Sequence, residues 1–246
     1  MLAKNTFSAY SILITKRMLR SRSVQTLSLA LLLPIFYVGL KDSLTAAAKF
    51  FLFIHPYFFL FVSGDMMKDD IESGVLENIL FLNGQFRSFL FMKNRLLLLL
   101  AFFWSSFFFV ILLILNALKG TTDWFWPVQF LAGVVVGCYY LFLSSHLSFY
   151  FKGGSNVMVV IFAQLVLFLS LIFSFSERDS FLAALEQGRI PDLAAALKFS
   201  LLSLGFPNIL ITRPFLRYIF LLVPAIGLMF VWQWLKIKNL ELKKHE

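Results

Sequence analysis

The residues with chemistry to offer are few: three histidines, one cysteine and a short run of acids. His55 and His146 lie in apolar stretches and His245 lies near the end of the chain. Neither His55 nor His146 has an i, i+4 partner, so the signal for a metal site or a proton relay is weak. Cys138 stands alone, which excludes an internal disulfide and a cysteine-based metal site. No G-x-x-x-x-G-K-[ST] phosphate loop occurs, so any ATP would be bound by another chain. The apolar stretches near 127–150 and 157–175 carry Gln164, Ser170 and nearby hydroxyls but no carboxylate. That speaks against an ion-coupled relay and against an intramembrane hydrolase, which needs a nucleophile or paired acids. The acids gather instead in 65–95, where Asp69, Asp70, Glu72 and Glu77 alternate with Ile71, Val75, Ile79, Leu82 and Phe86 at helical spacing.

The elements around these residues belong to a membrane. Of 246 residues, 60% are hydrophobic and 14% charged, against roughly a quarter charged in soluble domains. Several runs reach about 20 residues with almost no charge, enough for a helix to cross roughly 30 Å of hydrocarbon. The net charge of +9 sits beside these runs, where lipid headgroups and topology account for it better than nucleic acid does. Six transmembrane helices are expected, near 24–40, 46–64, 96–117, 127–150, 157–175 and 214–235. Lys152, Gly153, Gly154 and Asn156 read as a tight turn between the fourth and fifth. Gly133 and Gly137 have the small-xxx-small spacing that lets helices approach closely, within one bundle or at a dimer contact.

Ahead of the first span, residues 3–22 read as an amphipathic interfacial helix, with Ala3, Phe7, Tyr10, Ile14 and Met18 on one face. It shows no small-residue cleavage site and is read as retained. With the N-terminus inside, fourteen Lys and Arg fall on the cytoplasmic side and eight outside, so both termini are expected in the cytoplasm. Trp124 and Trp126 then mark an outer boundary, and Trp232 and Trp234 an inner one.

The acidic segment carries a likeness. Asp69-Asp70, then Glu72-Ser73-Gly74-Val75-Leu76-Glu77, then an apolar run from Ile79 to Leu82, then Lys93, resembles the signature loop of ABC-2 type permeases, the membrane subunits of many bacterial ABC exporters. The family has threonine where Val75 stands, proline is common at Asn83, and glycine is usual at Met92. From physics alone the segment reads as a connector resting at the interface, its acids favoured early in a helix. The resemblance implies more. Residues 69–84 would form a cytoplasmic coupling helix, with Asp69, Asp70, Glu72, Gly74, Leu76 and Glu77 docking a separate ABC-type ATPase.

The chain would then be one transmembrane permease domain over 1–246, paired with a second permease copy or a paralogue. It would sit in the cytoplasmic membrane of a bacterium and hold no cofactor of its own, ATP-Mg lying on the partner. Residues 176–213 read as a short helix near 180–187, a break at Gly188 and Pro191, and an apolar helix over 192–204. The resemblance makes these short re-entrant helices before the last span, and the bland reading makes them a surface loop. The aromatic and aliphatic spans favour a lipid-like, glycan-linked or other amphipathic substrate. The competing function is a membrane scaffold or assembly factor with no transport cycle.

Overall fold

A computed structural model of the chain describes Lys16 and residues 22–64, 86–120, 125–151, 153–175, 193–211 and 213–243. Every element among the described residues is helical. The reason is the sequence: backbone polar groups in long apolar runs have no water to pair with, and a helix pairs them internally. In chain order the elements are α1 (Arg22–Lys41), α2 (Leu44–Ser63), α3 (Phe86–Lys119), α4 (Phe125–Leu147), α5 (Gly153–Phe175) and α6 (Leu193–Gly205). Two 3-10 helices follow, Pro207–Ile211 and Arg213–Leu221, and α7 (Leu222–Lys243) ends the series.

Four stretches among the described residues are long and apolar enough to cross a membrane: Leu44–Ser63, Leu90–Lys119, Trp126–Leu147 and Phe215–Lys236. They coincide with four of the six expected spans. The other two positions are occupied by α1 and α5, helices of 20 and 23 residues. Their described apolar parts are Ser28–Lys41 and Ser155–Leu167.

Three boundaries differ from the sequence reading. The third long helix begins at Phe86, well before 96, so the last part of the polar segment is already helix. No glycine or proline interrupts 86–119, and the helix runs until Gly120, whose φ of 61° and N–H bond to the Asn116 carbonyl (3.0 Å) form a left-handed stop. The turn after α4 lies at 148–151, where Tyr150 and Phe151 both donate to the Leu147 carbonyl, and Asn156 belongs to the first turn of α5. The last span opens as a 3-10 helix and becomes α-helical at Leu222, with Pro224 in the first turn, where a missing N–H costs least.

Packing centres on α4, which meets α2 along its length and also touches α3, α5, α7 and both 3-10 helices. Gly133 and Gly137 make the α2 contact possible. A Cβ on Gly133 would fall 1.9 Å from Leu52 Cδ2, and one on Gly137 would fall 2.9 Å from the Phe59 ring. The small-xxx-small pair therefore works inside the bundle. Around it Phe51 stacks on Phe108 (4.5 Å) and Phe130 (5.7 Å), and Trp104 stacks on Phe58 (4.8 Å). α1 and α2 are joined through Asp42 and Ser43 only, and the Ser43 hydroxyl caps α2 by accepting from the Ala46 N–H at 3.1 Å.

Candidate functional site: a hydrogen-bonded clamp on a short apolar helix

The six docking residues expected from sequence, Asp69, Asp70, Glu72, Gly74, Leu76 and Glu77, lie outside the described residues, as does all of 69–84. The same holds for the interfacial helix of 3–22 apart from Lys16 and Arg22, and for 176–192. Lys93, the last residue of the loop pattern, is described: it lies within α3 and is buried. Its neighbour Asn94 donates to Gln233 Oε1 of α7 at 3.2 Å, tying α3 to the last helix.

The expected apolar helix of 192–204 is present as α6. How its end is held is the most distinctive polar feature of the bundle. A helix leaves its last carbonyls without partners, and in an apolar setting those must be met by side chains. Tyr139 of α4 donates its hydroxyl to the Leu204 carbonyl at 2.7 Å. Gln164 of α5 donates to the Gly205 carbonyl at 3.1 Å. Gln129 of α4 donates to the Ile211 carbonyl, at the end of the first 3-10 helix, at 3.3 Å. Close packing accompanies the bonds, since a Cβ on Gly205 would lie 2.1 Å from Leu167 Cδ1.

A chain of neutral side chains joins these caps to α2. The Tyr57 hydroxyl donates to Gln164 Oε1 (2.7 Å), and Gln164 Nε2 donates to the Tyr140 hydroxyl (2.6 Å). The Tyr140 hydroxyl donates to Asn208 Oδ1 (2.6 Å), and Asn208 Nδ2 returns to the Phe53 carbonyl of α2 (2.8 Å). That last bond sits one turn before Pro56. Proline lacks an N–H and crowds the carbonyls of the preceding turn, so an outside donor is in place where the helix ladder is weakest. The arrangement holds backbone. It contains no nucleophile paired with a base.

His55 lies beside this chain, fully buried, with Nε2 3.2 Å from Ser105 Oγ of α3 and its ring edge-on to Phe59. Among the described residues Nδ1 has no hydrogen-bond partner, and no group of three or more His, Cys, Asp or Glu is placed to hold a metal. Other amides hold helix ends. Asn156 donates to the carbonyl of Gly64, the C-cap of α2, at 2.7 Å.

The sequence reading singled out Gln164 and took Asn156 for a turn residue, but missed Tyr57, Gln129, Tyr139, Tyr140 and Asn208. Their signal was present: an isolated amide in an apolar run is costly in hydrocarbon unless a partner is waiting. No protein-family model, curated protein or solved structure matches the chain.

Proposed function

We propose that the chain is the membrane subunit of an ABC-2 type exporter, with six spans, an interfacial N-terminal helix and a cytoplasmic coupling helix at 69–84. A separate ATPase drives it by docking at Asp69, Asp70, Glu72, Gly74, Leu76 and Glu77. Working with a second permease copy or a paralogue, it moves a lipid-like, glycan-linked or other amphipathic substrate across or out of a bacterial cytoplasmic membrane in which both its termini are cytoplasmic. The observation that carries this reading is the loop pattern from Asp69-Asp70 through Glu77 to Lys93. The all-helical bundle and the short apolar helix clamped before the last span add support. An exporter driven by a partner needs a stiff element with two arrangements, and α6 with its 3-10 extension, held by a few side-chain bonds, is suited to be one.

The test is to co-express the tagged chain with the ATPase that co-purifies with it and to measure complex yield and ATP hydrolysis in nanodiscs. Glu77→Arg and Gly74→Trp are expected to lose the complex or uncouple turnover. Unchanged complex and unchanged turnover in both variants would remove the reading.

A further inference from the structure

At one end of α7 a cation and three aromatic rings meet at the edge of an apolar column. Leu228, Val231, Trp232 and Leu235 follow the i, i+3, i+4, i+7 spacing of a single helix face, and all four are exposed, Leu228 by 71% and Trp232 by 58%. The apolar stretch of the last span stops at Lys236, one turn beyond Trp232. The Lys236 ammonium stands 3.4 Å over the ring of Tyr150 and 5.2 Å from that of Phe149, both in the turn after α4. His146 closes the group, its ring 5.7 Å from Tyr150 and 6.2 Å from Trp232.

We propose that this corner binds the phosphate of an anionic phospholipid, with Lys236 and the Tyr150 hydroxyl as donors and the α7 column along the acyl chains. The inference depends on the α7 span and not on the exporter reading. Three observations point to a lipid. Tyr150 is half exposed, and its hydroxyl donates to no acceptor among the described residues. The neighbouring Lys236, and then Trp232, hold its phenol below the ordinary range, making it a better donor to an anion. Finally, the donors sit where an apolar helix face ends, which is where a headgroup lies above its chains.

A free phosphate offers the same oxygens without the chains, and a second copy of the protein could cover the column instead. Native mass spectrometry of the detergent-purified chain, titrated with phosphatidylglycerol or phosphatidylcholine, separates these. Preferential retention of phosphatidylglycerol is expected. Lys236→Gln should lower it about fivefold, the worth of one basic residue at a membrane surface. Tyr150→Phe, which keeps the ring, should lower it less, and Lys236→Arg should preserve it. Lys49→Gln, which removes an equal but remote exposed charge, should leave it unchanged. Excess inorganic phosphate should not displace the lipid. Equal losses in the Lys236 and Lys49 variants, displacement by phosphate alone, or a Lys236→Gln change in oligomeric mass with lipid retention intact would each overturn the assignment.

Discussion

Gly137 has rigid neighbours and little room to change. An added Cβ would meet Phe59 Cδ2 at 2.9 Å, Cε2 at 3.0 Å and His55 Cε1 at 3.1 Å, all parts of flat, buried rings that cannot fold aside. Gly137→Val is therefore expected to destabilise the bundle by about 1–3 kcal/mol, the usual range for overpacking a core. Gly227 is the control: nothing lies within 4 Å of its Cβ position, so Gly227→Ala should cost nothing and gain up to about 1 kcal/mol in helix preference. Thermal unfolding in detergent distinguishes them, with the melting temperature falling for the first variant and holding or rising for the second. The spacing of Gly133 and Gly137 was readable in the sequence as a close-approach face. Which helix approaches was not, because Leu52 and Phe59 are distant in the chain and nothing local selects them.

For single elements the decisive question is what holds α6 and the 3-10 helix after it. Gln164 bonds Tyr57, Tyr140 and the Gly205 carbonyl at once. Interhelical hydrogen bonds in membranes average about 0.6 kcal/mol each, so Gln164→Leu should cost about 2 kcal/mol and Tyr139→Phe about 0.6 kcal/mol. Hydrogen exchange should report the loss locally, with faster exchange over 193–211 and little change in α2 and α4. Uniformly faster exchange would mean that the amide supports the whole bundle and is no clamp. Apolar run length was enough to find α2, α4 and α6 from sequence. The start of α3 was not found, because Lys93, Asn94 and Arg95 look like loop residues until Asn94 meets Gln233 and Lys93 is buried against its neighbours. The clamp was hidden for a similar reason: Asn208 and Phe53 are 155 residues apart, and no periodicity records such a pairing.

For the whole molecule the exposed surface is itself informative. Phe102, Phe103, Phe162 and Leu228 all point outward, which water would penalise and lipid does not. Orientation then rests on the distribution of Lys and Arg. With Cys138 replaced by serine and a single cysteine placed at Ser180, an impermeant maleimide is expected to label intact cells from outside. Labelling only after the cytoplasmic face is opened would reverse the topology.

The two-residue join between α1 and α2 bears on how the chain enters its membrane. Asp42 and Ser43 leave no slack, and Lys119 of α3 donates to the Asp42 carbonyl, fastening the turn to the third helix. α1 begins with Arg22, Ser23, Gln25 and Thr26 and carries Pro34, so taken singly it is a poor candidate for partition into lipid. α2 is strongly apolar and follows at once. In the proposed six-span arrangement the insertion machinery would therefore receive a helical hairpin, the weaker first arm carried across by the second.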